Sequence, residues 1–275
     1  MAKYLKFWGT RGSCPVSGAD YLQFGGNTAC LELRYDNHLI IFDAGTGIRP
    51  LGESLKNETV IDLFIGHTHW DHTIGFPFFQ PIYEKGIKIN IWAPMGVGRT
   101  TEQRFDDIFS PEFFPIHLNE IQAELIFKTI QENTPVQIGP LTLDFHPTRH
   151  PGNAFCFKIK TPHQTISYIT DNEVDIPSQK SFIDFHNRAD IFIHEAQYSQ
   201  DEYKRKKGWG HSSLNNMFEL IEKVKPAHWY ITHHDPRHSD KDLKEFASVA
   251  RRALEEKHIS CPAQWVPDGF ILNLK

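Results

Sequence analysis

Cysteine is scarce and scattered. Cys14, Cys30, Cys156 and Cys261 are far apart and form no C-x-x-C pair, so neither a thiolate metal site nor a disulfide framework is suggested, and reduced, packed thiols are expected. Long apolar runs are missing too: stretches such as Leu39 to Phe42 fall far short of the ~20 residues a bilayer span needs, which excludes a transmembrane helix. Met1 to Phe7 leads directly into a strand-like segment, without an apolar h-region or small-residue cleavage site, so a cytoplasmic location is expected. Basic charge is not in excess. The 29 Lys and Arg face 34 Asp and Glu, a net charge of -5 with neutral histidine, which argues against duplex nucleic acid held by broad phosphate neutralisation. No repeat, linker or low-complexity tract divides the chain. With 40% hydrophobic and 23% charged residues over 275 positions, one domain with an ample core is expected; a homodimer is compatible with it.

Short runs rich in β-branched and aromatic residues recur at 28–34, 38–43, 61–66, 87–93, 141–145, 155–160, 165–170, 191–194, 228–232 and 270–274. Bounded mostly by Gly, Pro, Asn or Asp, they read as strands. Helical periodicity covers 100–109, 181–185, 214–224 and 240–257, as apolar residues return every three or four positions. Strands interleaved with amphipathic helices predict an α/β chain of two sheets packed face to face with helices outside, a four-layer αββα sandwich. The stretch 94–139 is the least regular and is expected to be an inserted excursion over the surface. Lys204 to Lys207, followed by Gly208, Trp209 and Gly210, reads either as a solvated helix face or as a positive rim over a phosphate-bearing substrate.

The abundant residue is histidine, with 16 copies, many at the ends of apolar runs. The segment Ile61 to His72 is an apolar strand that delivers His67, His69, Asp71 and His72 within six residues. Alternate residues of an extended segment face the same way, so His67 and His69 can bind one ion while Asp71 and His72 turn toward a second. Imidazole with carboxylate suits zinc, iron or manganese. Burying so many imidazoles without a metal would leave many polar atoms unmet.

His67, His69, Asp71 and His72 match, residue for residue, the H-x-H-x-D-H signature of the metallo-β-lactamase-fold hydrolases, and the chain resembles that family over most of its length. The resemblance implies that Asp43, in Ile40 to Gly47, supports the metal site without ligating. It implies His150, in preference to His146, as the third ligand of the first ion, Asp171 as the bridging carboxylate, and His233 as the last ligand. Two divalent ions are then expected: His67, His69 and His150 on one, Asp71, His72 and His233 on the other, and Asp171 between them.

Two such ions about 3.5 to 4 Å apart lower the pKa of a shared water and stabilise charge developing in a displacement, so hydrolysis is the expected chemistry. The segments Ile191 to Ala196 and Gly210 to Ser213 resemble the phosphodiesterase branch typified by tRNase Z. That resemblance makes His211, oriented by Glu195, the expected general acid, counted with Asp71 as catalytic, although Ser212 or Ser213 could equally cap a helix starting at Leu214. Arg11, in a glycine-containing loop, could pair with a phosphate or be a surface arginine. His234 is expected as a pocket residue. Trp209, Phe113, Phe114 and Tyr198 are candidates to stack on a base. The long glycine- and lysine-rich arm of many tRNase Z proteins is not found. A small phosphodiester, such as a cyclic nucleotide or related cyclic phosphate, is therefore expected ahead of tRNA. A tRNase Z-like endoribonuclease, a glyoxalase II-like thioesterase or lactonase, and a ligand-retaining sensor are the alternatives.

Overall fold

The structure, a computed structural model, describes residues 2–96 and 98–275. Fourteen strands form two seven-stranded sheets among the described residues. In the first, β1 (Lys3–Gly9), β2 (Cys30–Tyr35) and β3 (His38–Phe42) run antiparallel. Then β3, β4 (Val60–Phe64), β5 (Lys88–Pro94) and β6 (Glu124–Ile130) continue in parallel. The second sheet repeats this plan. There β7 (Val136–Ile138), β8 (Leu141–Pro147), β9 (Phe155–Lys160) and β10 (Thr165–Ile169) are antiparallel. From β10 the order continues in parallel through β11 (Ile191–His194), β12 (His228–Ile231) and β13 (Ala263–Trp265). The chain returns to the first sheet as β14 (Ile271–Asn273) beside β1.

Parallel neighbours cannot be joined by a hairpin, so each pairing requires a crossover. In the first sheet α1 (Ile48–Ser54) and α2 (Thr101–Ile108) supply two of these. In the second, α3 (Lys180–His186), α4 (Gln200–Lys206), α5 (Leu214–Val224) and α6 (Asp240–Glu256) do so. Ser213 and Ser239 start the two longest helices by accepting the backbone N–H groups of Asn216 and Asp242, which satisfies donors that a helix's first turn leaves open. Three apolar clusters divide the layers. One lies between the sheets around Phe42, Phe64, Phe157 and Tyr168; one lies under α3, α5 and α6; one lies under α1 and α2. This is the αββα sandwich expected.

Besides the helix expected over 100–109, seen as α2, the stretch 94–139 contains β6 and the short β7, so it is more regular than expected. Strand β6 lies at a sheet edge and keeps most side chains half-buried, so its sequence carries little period-two contrast. Among the described residues no helix is long and apolar enough to cross a membrane.

Candidate metal centre and active site

The carboxyl ends of the parallel strands in both sheets open on one rim, the place where α/β sheets commonly bind ligands. The first sheet supplies Asp43 after β3 and His67, His69, Asp71 and His72 after β4. The second supplies His150 from the β8–β9 connection, Asp171 after β10, Glu195 after β11 and His233 after β12.

All seven residues expected as ligands come together here. His67, His69 and His150 offer ring nitrogens to one point, and Asp71, His72 and His233 offer ligand atoms to another. Asp171 Oδ2 lies 3.0 Å from His72 Nε2 and 3.5 Å from His233 Nε2, while its Oδ1 lies 3.9 Å from His150 Nδ1. His150 Nε2 is 3.1 Å from His69 Nδ1.

Several buried atoms of these residues make no hydrogen bond: His67 Nε2, His72 Nε2 and Asp171 Oδ2. Buried polar atoms are otherwise almost always partnered. Neighbours about 3 Å apart but misaligned for hydrogen bonding are what ligands aimed at a common ion present, and nitrogen and carboxylate donors suit a divalent transition metal. The residues therefore fit such ions. Burial pulls His67 well below the usual imidazole range, favouring the neutral, ligating form. Burial alone would raise Asp171, but His233, His72 and His67 around it hold it well below the usual carboxylate range.

Supporting contacts fix the ligands' orientations, as metal sites require. Asp43, in the left-handed region at φ 63, lies 3.1 Å from His72 Nδ1 and accepts from Gly66 N–H and the Tyr168 hydroxyl. Ser13 N–H donates to Asp71 Oδ2 at 2.7 Å. His150 Nδ1 meets the Gly210 carbonyl at 3.0 Å. Gly210 has φ 90, and a Cβ there would sit 2.2 Å from His150 Nδ1, so both its conformation and its close approach require glycine. Gly210→Ala is expected to weaken metal binding about 10- to 100-fold by displacing His150, measured by chelator competition, with the circular dichroism spectrum unchanged.

Beside the ligands stands a second constellation. His211 Nδ1 lies 3.0 Å from Glu195 Oε1, and Glu195 also accepts from the backbone N–H groups of Asn172 and Ser212. Burial pushes His211 below and Glu195 well above its ordinary range. With Nδ1 held by Glu195, Nε2 is left to meet a ligand. Ser213, not Ser212, caps α5, so the capping and site roles fall on separate residues. His211 lines a cavity of about 390 Å³ with Ser13, Thr68, His69, Trp70, Asp71 and Asp171. That volume is near the small end for ligand pockets.

Three expectations require correction. Arg11 is fully buried, and its guanidinium donates to the carbonyls of Gly25, His238 and Asp235, so it ties the amino-terminal loop to the β12–α6 connection instead of facing a phosphate. Arg11→Met is expected to destabilise the fold by about 2–4 kcal/mol, since each lost bond to a charged donor is worth roughly 1.5–3 kcal/mol; urea denaturation measures it. His234 is also buried, with Nε2 3.0 Å from the Val266 carbonyl and its ring edge on Phe24. Burial takes its pKa to about 3, and it lines no part of the cavity. Tyr198 is buried, and Phe114 packs against Phe78 and Phe109. Trp209 and Phe113 are exposed but do not line the cavity. In the basic run at the end of α4, Lys204, Arg205 and Lys207 are exposed, Lys204 pairing with Asp201, while Lys206 is turned inward onto Asp235 and the Tyr198 ring.

Other contributors were not apparent in the sequence. Buried Glu173 accepts from Gly208 N–H, Gly210 N–H and the Tyr203 hydroxyl, which secures the loop that carries His211. Asn172 joins Arg149 N–H, Glu195 and His194. Trp70, inside the H-x-H-x-D-H segment, stands in the cavity wall. Its position between two ligands was the available signal.

Comparison with known proteins agrees with this geometry. Residues 38–234 match the Beta-lactamase superfamily domain. The chain is 23% identical to the ribonuclease Z of Pyrococcus furiosus over 285 residues, covering 89% of each. Among solved structures it resembles the metallo-β-lactamase fold protein YhfI from Bacillus subtilis, with a TM-score of 0.73, 17% identity and full coverage of both chains. It also resembles a diphosphatase from the PhnP family, with a TM-score of 0.71, 18% identity and coverage of 100% of this chain and 98% of that one. With the matched segment spanning the ligand-bearing strands of both sheets, the chain belongs to the beta-lactamase superfamily, as a hydrolase of the metallo-β-lactamase fold.

Proposed function

We propose that the protein is a dinuclear metal-dependent phosphodiesterase acting on a small phosphodiester, with a cyclic nucleotide or related cyclic phosphate as the substrate class. The observation that carries this reading is His211 beside the ligand cluster on the wall of a cavity of about 390 Å³, its Nδ1 3.0 Å from the buried Glu195 carboxylate.

His67, His69 and His150 would hold one ion, Asp71, His72 and His233 the other, and Asp171 both. Divalent ions, zinc first with manganese and iron as alternatives, supply activation of water and stabilisation of charge in such a displacement. His211 Nε2 donates a proton to the departing alkoxide oxygen as the phosphorus–oxygen bond breaks, a role imidazole fits near neutral pH. Glu195 fixes the ring by its contact with Nδ1. Asp71 is kept in place by Ser13 N–H. The PhnP-family diphosphatase is consistent with a small phosphorylated substrate. A tRNase Z-like endoribonuclease is the second reading, favoured by the identity to the Pyrococcus furiosus ribonuclease Z.

The test is turnover by zinc-, manganese- or iron-loaded protein of bis-p-nitrophenyl phosphate, a cyclic-nucleotide panel, precursor tRNA, an acyl-thioester and a lactone. Hydrolysis of the small phosphodiesters at a higher kcat/KM than precursor tRNA is expected. A reversed order favours the second reading, and turnover of the thioester or lactone alone overturns both.

A further inference from the structure

Trp70 is the one aromatic side chain, histidines apart, that lines the metal cavity among the described residues. It is also 81% exposed. An indole left so open loses the hydrophobic and stacking stabilisation that large aromatic rings ordinarily gain from burial. Among the described residues no other ring packs against it, in contrast to Trp92 on Phe64 and Trp229 on Trp265.

Its backbone is nevertheless rigidly held. Trp70 opens a short turn, Trp70–His72, in which His72 N–H donates to the His69 carbonyl, and Thr73 and Ile74 N–H donate to the Trp70 carbonyl. The Thr73 hydroxyl donates to the His69 carbonyl as well. A flanking ligand on each side, His69 and Asp71, fixes the ring's origin relative to the floor of the cavity. The aromatic candidates named from sequence leave this role open, since Tyr198 is buried and Trp209 and Phe113 lie outside the cavity lining.

Building on the phosphodiesterase reading, we propose that Trp70 is a specificity-determining residue that stacks on the nucleobase of a nucleoside phosphodiester while the phosphate occupies the floor beneath. Stacking needs only a flat π-face and tolerates every base, so the platform selects nucleoside over aliphatic phosphodiesters without selecting one base. Ser13 and Thr68 belong to the same cavity lining; their hydroxyls accept from the Gln197 amide and the Arg104 guanidinium, which leaves each O–H to donate to the sugar.

The experiment compares kcat/KM for 3′,5′-cyclic AMP with that for an aliphatic cyclic phosphate, ethylene phosphate, in the metal-loaded wild type, Trp70→Ala and Trp70→Phe. Metal content is measured in each. The nucleoside-to-aliphatic ratio is expected to fall about tenfold in the Ala variant, mostly through KM, and to stay within about threefold of wild type in the Phe variant, as base–aromatic stacking predicts. An unchanged ratio in Trp70→Ala, whether both substrates slow equally or neither slows, overturns the proposal. A binding arm separates it from the activity reading: tryptophan fluorescence of metal-loaded protein titrated with AMP or ribose 5-phosphate. AMP is expected to bind more tightly and to quench, and Trp70→Ala is expected to bind the two ligands alike by calorimetry. If the wild type hydrolyses no phosphodiester yet prefers AMP through Trp70, the stacking site stands and the reaction assignment fails. If the wild type binds AMP and ribose 5-phosphate alike, the stacking site fails.

Discussion

Asp171→Ala is expected to remove at least one bound metal ion per chain and to lower phosphodiester turnover by about 10³-fold or more. The carboxylate sits fully buried, with one oxygen near His72 and His233 and the other near His150 and His211. The one carboxylate thus reaches both groups of ligands. A metal clamp contributes several kcal/mol of transition-state stabilisation, and each 1.4 kcal/mol is a factor of ten in rate. The variant should still fold, because the apolar cluster between the sheets does not include Asp171. Metal analysis, steady-state kinetics and thermal unfolding on one preparation measure all three. Full metal content with undiminished turnover would exclude Asp171 from the site.

His211→Ala is expected to lower kcat by about 10² to 10⁴ while leaving metal stoichiometry intact, the range for a lost general acid. The separation between metal content and rate is what distinguishes it from Asp171→Ala. Glu195→Gln should reduce kcat less, because the amide can still occupy the 3.0 Å contact with His211 Nδ1 while altering its protonation preference. A substrate whose leaving group departs without a proton, such as a p-nitrophenyl diester, should lose less rate in His211→Ala than an alkyl diester. Equal losses on both would assign His211 to charge stabilisation on the phosphoryl oxygens instead.

The His67 cluster was legible because it closes an apolar strand, with Leu63 and Phe64 before it; His150, Asp171 and His233 were picked out by the family resemblance, the last two at the ends of apolar strands, Tyr168 and Ile169 before Asp171 and Trp229 to Ile231 before His233. A parallel strand buried on both faces reads as a continuous apolar run, and its carboxyl end is where function gathers. The helices expected at 214–224 and 240–257 were legible from their apolar stripes, and the structure starts them at the caps Ser213 and Ser239.

Elsewhere local signals were weak or misleading. Helix α1 contains Pro50 and Gly52, which suppress helical propensity, yet Pro is tolerated in a first turn. Strands β7 and β13 have three residues each, too few to show a period. Arg11 looked like a phosphate ligand because sequence does not reveal that the Gly25 carbonyl, 14 positions on, and the Asp235 and His238 carbonyls, 224 and 227 positions on, converge on it. Glu173 and its hold on Gly208 and Gly210 are hidden similarly. Such partnerships follow from packing of distant segments, not from spacing along the chain.

We propose that six side chains from two sheets, joined by Asp171, hold a pair of divalent ions. Elemental analysis of folded, chelator-stripped protein reconstituted with zinc or manganese tests it most directly. Two ions per chain in the wild type, reduced in Asp171→Ala and unchanged in His211→Ala, is the predicted result. A wild-type protein that retains its fold and takes up no transition ion would contradict it.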